Sequence, residues 1–460
     1  MFTIVKNYFV SEYKRFANHI IKINIIAVYP SLTYSACKKG LIYMNGIYEN
    51  YTESGDLQVN VFAIDVGRPI QNATIRITAL NDPNNVFFEL MTDSSGQTEQ
   101  VTLPAPPIGL STSPTEIRPY SEFDVFVDAQ DYIPAFIRAI QILPERIAYL
   151  NVNLFPKEAP GPELEAIDVE AHTLYAEFPP KIPEDSVKPL PPSLGFVVLP
   201  KVVVPEFIVV HDGVPSNNSA PNYWVPFNDY VKNVASCEIY STWNDAAIRA
   251  NVLAIISFTL NRVYTEWYRG KGYNFTITSS TAYDQAFSYG RNIFGNISVV
   301  VDELFTTFIT KPDIKQPLFS QYCDGSRRSC PGWLSQWGSQ SLAEQGYSEI
   351  EILRNYYGQE VYLMGAERVE GVPVSYPGTV LQIGSSGSSV RTIQMQLNAI
   401  SNNYPAIPKL AVDGQYGPLT ANSVKTFQKI FGLPQTGAVD YATWYQISNI
   451  YVAVTKLAEL

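Results

Sequence analysis

Residues 55–63 read Gly55-Asp56-Leu57-Gln58-Val59-Asn60-Val61-Phe62-Ala63. Leu57, Val59, Val61 and Ala63 alternate with Gln58, Asn60 and Phe62, the period of two that turns one face of a β-strand inward. Similar short runs follow at 73–79, 86–90, 99–103, 123–127 and 147–154. Between them stand Asn81-Asp82-Pro83 and Asp93-Ser94-Ser95-Gly96, residues that supply the backbone angles of turns. Roughly six or seven short strands in about 100 residues predict an all-β antiparallel sandwich over residues 55–156.

Outward from this stretch the pattern changes. Residues 157–205 are rich in proline and glutamate, including Pro160, Pro162, Pro179, Pro180 and Pro183. Proline fixes φ and lacks an N–H, so this reads as an extended linker, partly ordered on a neighbour and open to proteolysis. Residues 206–375 read as α+β. Ile248, Val252, Ile255, Ile256, Leu260 and Val263 mark one face of a long helix, with Thr242 and Asp245 as its capping pair. Further helices are expected at 283–294 and 348–357, with a mixed stretch at 297–308. Residues 376–460 predict a three-helix unit: Val390, Ile393, Leu397 and Ile400 form one face, Val424, Phe427 and Phe431 another, Trp444 and Ile447 a third. Residues 1–54 read as a poorly defined tail. Its apolar run, residues 23–28, is short and has no clear cleavage site, so a working export signal is not expected.

The chain has 460 residues, enough for about three domains. Its net charge of −11 argues against a nucleic-acid binder, which needs a basic face. Four cysteines are too few for a disulfide scaffold, and only Cys323 and Cys330 are close together. The three histidines, His19, His172 and His211, are scattered, so no metal site or cofactor is expected. No run reaches the roughly 18 apolar residues of a membrane span.

Three resemblances rest on specific residues. The turns at Pro69–Ala73, Thr92–Gly96, Leu103-Pro104 and Ala129–Tyr132 resemble the carboxypeptidase regulatory-like (prealbumin-like) sandwich. The C-terminal set Asp413-Gly414-Gln415-Tyr416-Gly417, Thr420, Val424, Phe427-Gln428, Gly432-Leu433, Thr436-Gly437 and Thr443-Trp444 resembles the peptidoglycan-binding domain type 1. There Asp413, Gly414, Tyr416, Gly417 and Thr420 are the residues expected to form the wall-binding turn. The middle region resembles the SpoIID/LytB family through Val234-Ala235-Ser236-Cys237-Glu238-Ile239-Tyr240, Thr281–Gln285 and Ser335-Gln336-Trp337-Gly338. The order of the three parts is similar to that of spore cortex-lytic enzymes of the SleC type.

The resemblance implies a peptidoglycan lytic transglycosylase in the spore cortex or coat region, or in an extracytoplasmic cell wall. Its partners would be glycan strands and an activating protease, with a precursor cut in the linker. In such a reaction one carboxylic acid protonates the glycosidic oxygen and then, as carboxylate, takes the proton of the muramic acid C6 hydroxyl that attacks C1. Glu238 is the expected acid and base, its pKa raised by the apolar neighbours Val234, Cys237 and Ile239. Tyr240, Tyr283, Asp284, Gln285, Ser335, Gln336 and Trp337 are expected sugar contacts, and some of the aromatic residues would instead be core. Asp245 reads as a first-turn residue of the helix, and His211 as a strand-end histidine. Where family members carry a zinc-binding histidine, this chain has Cys330; Cys323 and Cys330 are either a disulfide or free thiols. The alternatives are a non-catalytic wall-binding spore protein and a hydrolase or amidase on the same substrate.

Overall fold

In a computed structural model, the described residues are 48, 51–64, 68–158, 164–188, 201–366, 368–371 and 376–455. The readings of residues 1–43 lie outside them.

The first part is two five-stranded sheets. One contains β1 (Glu53–Ala63), β2 (Arg68–Pro69), β5 (Val101–Ala105), β8 (Ile147–Leu154) and β14 (Ile293–Phe294). The other runs β4 (Asp82–Met91), β3 (Thr74–Ala79), β6 (Ser121–Asp128), β7 (Ala135–Ile142), β9 (Glu165–Asp168). Leu57, Val59, Val61 and Ala63 are wholly buried, as their alternation demands. They lie in one core with residues such as Ile75, Phe123, Val125 and Leu150.

The expected antiparallel sandwich is corrected in one respect. β1 pairs β8 in parallel, and β7 pairs β9 in parallel. Two strands also come from outside residues 55–156: β9 from the proline-rich stretch and β14 from the middle region. The sandwich is therefore finished by the sequence that follows it. β7 alternates over Ala135–Arg138 but is buried on both faces over its last three residues and carries Ala139 at a φ of 60° beside a bulge, so the alternation breaks partway along it.

The middle region adds β10 (Val203–Val204), β11 (Phe207–His211), β12 (Asn222–Pro226), β13 (Ile277–Thr278) and five helices. These are α1 (Phe227–Glu238), α2 (Asp245–Tyr264), α3 (Gly295–Leu304), α4 (Gln336–Glu344) and α5 (Glu349–Tyr357). The long helix is present, but its cap is Asn244, which accepts from the Ala246 N–H, rather than Thr242; Asp245 lies in the first turn. It is the only helix among the described residues long and apolar enough to cross a membrane, and 83% of its apolar window is buried in the protein. The helix expected at 283–294 does not form. That segment is a turn whose buried polar side chains bond to distant residues, and the helix begins at Gly295 instead.

The C-terminal unit is α6 (Ser388–Ile400), α7 (Pro418–Ile430) and α8 (Tyr441–Thr455). Val390, Ile393, Leu397, Ile400, Val424, Phe427, Trp444 and Ile447 are all wholly buried. It packs on the middle region through Phe305, whose ring lies 5.7 Å from Tyr441 and 5.3 Å from Tyr445. It meets the sandwich where Gln97 Nε2 donates to the Ile430 carbonyl at 2.7 Å.

Gly55 opens the deciding strand against a crowded wall: a Cβ there would overlap the Leu143 carbonyl oxygen and stand 2.9 Å from Ile142 Cγ2. Gly55→Ala is expected to cost about 1–3 kcal/mol of stability in thermal denaturation; an unchanged melting temperature would contradict this packing.

Candidate functional site

Glu238 is the last residue of α1 and is 3% exposed. Helix α1 turns Tyr230, Val234 and Cys237 inward with it. One carboxyl oxygen accepts the Ala286 N–H at 2.7 Å. The other is buried without a hydrogen-bond partner, and so is the Tyr322 hydroxyl. That hydroxyl faces the carboxyl closely enough to oppose its rise in pKa, although the two complete no hydrogen bond of normal geometry with each other. Burial pushes the Glu238 pKa up; the Lys181 ammonium, the Ala286 N–H and the Tyr322 hydroxyl pull against it, and burial prevails.

The turn carrying Ala286 is held rigidly. The Asp284 carboxylate, wholly buried, accepts from Arg262 Nε at 2.8 Å, the Tyr268 hydroxyl at 2.6 Å, and the Thr278 N–H and hydroxyl at 2.9 and 2.7 Å. Gln285, also wholly buried, accepts from the Tyr230 and Thr259 hydroxyls at 3.0 and 2.8 Å and donates to the Ile255 carbonyl. Both expected sugar contacts are thus spent inside the protein, positioning the turn that grips Glu238. Gln336 is similar, donating to the Glu238 carbonyl at 3.1 Å. Ser335 caps α4 by accepting from the Gly338 N–H at 2.9 Å. Gly338 is required there, because a Cβ would stand 2.8 Å from the Ser335 hydroxyl and overlap that of Tyr356.

The aromatic residues divide as well. Tyr240 is 1% exposed and stacks on His172 at 4.2 Å. Trp337 packs at 5.0 Å on Trp243, whose indole N–H donates to the Ser111 carbonyl of the sandwich. Tyr283 and Ser335 keep partial exposure. His211 stacks on Phe275 at 4.5 Å and bonds Asn222 at the strand end. Among the described residues no His, Cys, Asp and Glu side chains form a metal-holding group.

Two site residues escaped the sequence reading. Tyr322 follows a stretch without periodicity. Lys181 is a lone cation among prolines and glutamates; its ammonium donates to the Asp284 carbonyl and lies 4.8 Å from the Tyr322 ring. It belongs to a strap, residues 172–188, laid over the site. The Thr173 N–H donates to the Cys237 carbonyl at 3.1 Å and the Ile182 N–H to the Ala282 carbonyl at 2.7 Å, so the strap touches both elements that hold Glu238. Cys323 and Cys330 are joined in a disulfide, with a Cα separation of 5.7 Å. The enclosed loop carries Arg327 and Arg328, which donate to the strap carbonyls of Thr173, Tyr175, Ala176 and Phe178.

In the C-terminal unit Asp413 accepts from Gln394 Nε2 and the Gln415 N–H, both at 2.8 Å, and these bonds hold its pKa down. Gly414 takes a φ of 74° and donates to Gln394 Oε1. Thr420 receives Gln394 Nε2 at 3.3 Å, Gly417 precedes α7, and the buried Tyr416 hydroxyl donates to the Gly437 carbonyl. These five residues build the turn around Gln394.

A carboxyl whose folded pKa is raised gives stability present below about pH 4.3, the unfolded glutamate value, and lost as pH rises through the folded pKa. Glu238→Gln lacks this loss. Its melting temperature is expected to gain on the parent's as pH climbs from about 4 towards neutrality; a constant difference would contradict the buried, raised carboxyl.

Residues 386–447 match the family described as putative peptidoglycan binding domain. The chain is 38% identical over 77 residues to the zinc D-Ala-D-Ala carboxypeptidase of Streptomyces albus G, which is 16% of this chain and 28% of that protein. Among solved structures, the Bacillus anthracis TIE protein (TM-score 0.17, 12% identity, 23% of this chain and 17% of that one) shows only slight likeness. The same holds for the Streptococcus agalactiae minor pilin GBS52 (TM-score 0.16, 12% identity, 24% of this chain and 48% of that one). Neither carries an argument about this chain. The chain is thus a multidomain protein with a sheet-rich N-terminal part and a helical C-terminal region that contains a peptidoglycan-binding domain.

Proposed function

We propose that this chain is a peptidoglycan-cleaving enzyme of the SpoIID/LytB kind, a lytic transglycosylase held on its substrate by residues 386–447 and working outside the cytoplasm, on spore cortex or cell wall. The observation that carries the reading is the solitude of Glu238. It presents one unpartnered carboxyl oxygen, while the neighbouring carboxylates, Asp284 and Glu184, are bound to Arg262. A conventional glycosidase needs two free carboxyl groups. A transglycosylase needs one, because the nucleophile belongs to the sugar.

Desolvation keeps Glu238 protonated to higher pH, as a general acid requires. Its proton passes to the glycosidic oxygen as the bond to C1 breaks. The resulting carboxylate then takes the proton of the C6 hydroxyl, whose oxygen bonds to C1 and closes the 1,6-anhydro ring. No water is added. The Tyr322 hydroxyl stands ready to donate to the carboxylate once it forms.

The closed state of the site supports a precursor. With the strap 172–188 bonded across both elements that hold Glu238, a glycan reaches the acid only after the strap moves, and proteolysis in the proline-rich stretch is the proposed trigger. The same burial favours a second reading, a wall-binding protein in which Glu238 is structural.

Product mass separates these readings. After limited proteolysis, the parent is expected to release anhydro-muropeptides from spore-cortex peptidoglycan, and Glu238→Gln to lose at least about 100-fold of that activity. Hydrated ends would make the protein a hydrolase; binding without products from cut protein would make it structural.

A further inference from the structure

Away from Glu238 a deep cleft of about 460 Å³ opens where the sandwich, the middle region and the C-terminal unit meet. That lies within the range of about 300–1,000 Å³ typical of ligand sites. We infer that this cleft binds a neutral, N-acetylated oligosaccharide strand, through stacking on Trp224 and Tyr149, hydrogen bonds with the Asn151 and Asn153 amides, and sugar hydroxyls donating to the Asp229 carboxylate.

The lining selects this class of ligand by what it offers and what it withholds. Trp224, on β12, is 69% exposed at the cleft, a large apolar face left in water. Tyr149, on β8, is half-buried on the facing wall, and Tyr289 stacks on Tyr223 at 4.6 Å. Asn151 and Asn153 line the same cleft, exposed on β8, and Asn151 Oδ1 accepts from Asn60 Nδ2 at 2.9 Å. Asp229 is also accessible to water and makes no hydrogen bond with the described residues, although the surrounding walls raise its pKa by desolvation. Apolar rings in one lining with amides and one hydroxyl-accepting carboxylate match a pyranose, which has apolar C–H faces and a polar equator.

An anionic ligand finds no partner here. The Lys232 ammonium is held by Asp302 at 2.7 Å. The Arg291 guanidinium is consumed by the Ser236 and Glu170 carbonyls and the Gln141 side chain. A purely apolar ligand would leave the amides and Asp229 desolvated without compensation. The third wall, Tyr404, Phe431 and Gly432, lies within residues 386–447, which match the peptidoglycan-binding family, and this places an amino-sugar polymer within reach of the cleft. Asp229 opens the helix that ends in Glu238, nine residues and on the order of 14 Å along the axis. A strand seated here would therefore lie within a few sugar units of the acid. The site stands whether or not Glu238 is catalytic.

The test is calorimetric titration of the full chain with tri-N-acetylchitotriose. The parent is expected to bind. Trp224→Ala and Asn153→Leu, both at exposed positions, are each expected to weaken binding roughly tenfold with unchanged melting temperatures. No binding by the parent, or binding undiminished in both variants, would overturn the inference, the second outcome placing the saccharide on another surface.

Discussion

The buried ion pair between Arg262 and Asp284 is the interaction on which the middle region depends. Both side chains are wholly shielded from water. Such a pair is tolerable only when every remaining donor and acceptor is met, and breaking one with a single partner removed costs several kcal/mol. Here most of those groups are met: Asp284 takes four donors, and Arg262 also binds both Glu184 carboxylate oxygens and the Tyr283 carbonyl. One guanidinium thus joins the long helix α2, the turn at 283–286 and the strap. The Ala286 N–H that orients Glu238 is presented by that turn, so the placement of the Glu238 carboxyl follows from a charge pair that does not touch it.

The same economy joins the larger parts. Strand β14 extends a sheet of the sandwich, β9 extends the other, and Asn292 bonds the Gln141 backbone in both directions at 3.0 and 2.8 Å. The indole of Trp243, a few residues past Glu238, is tied to the sandwich at Ser111. The proline-rich stretch lacks helix or ladder of its own over most of its described length, yet its backbone N–H and carbonyl groups are satisfied by Arg327, Arg328, Gln321 and Gln316. Proline enrichment signals the absence of regular structure; it carries no information about whether the segment is free or bound.

The C-terminal helices and the strand at 57–63 were legible because each buries one continuous face, and that periodicity survives in sequence; α2 is instead buried nearly all round, so the single face read from 248 to 263 is only one row of its buried surface. Glu238 was legible only through its motif, since an isolated glutamate before a helix has no periodic signature. The segment 283–294 was misread because its apolar residues are buried consecutively, around polar groups that bond across the fold. Gly290 marks the break: it takes a φ of 77° against Ile167, a neighbour more than a hundred residues away. Lys181 and Tyr322 were invisible for the same reason, since each acquires its place at the acid from a separate segment.

By itself the sequence determined which residues turn inward along the strand at 57–63 and the C-terminal helices, that a peptidoglycan-binding unit lies at residues 386–447, and that a glutamate stands at the head of the central motif. Those properties are local: they follow from side-chain spacing and from turn residues a few positions apart. Only the tertiary structure decided that Glu238 is buried with one oxygen free, that Asp284 and Gln285 serve the scaffold, and that a strap crosses the site. It also decided that three segments enclose a cleft. Desolvation and the pairing of buried charges depend on which distant residues come together, and no window along the chain contains them.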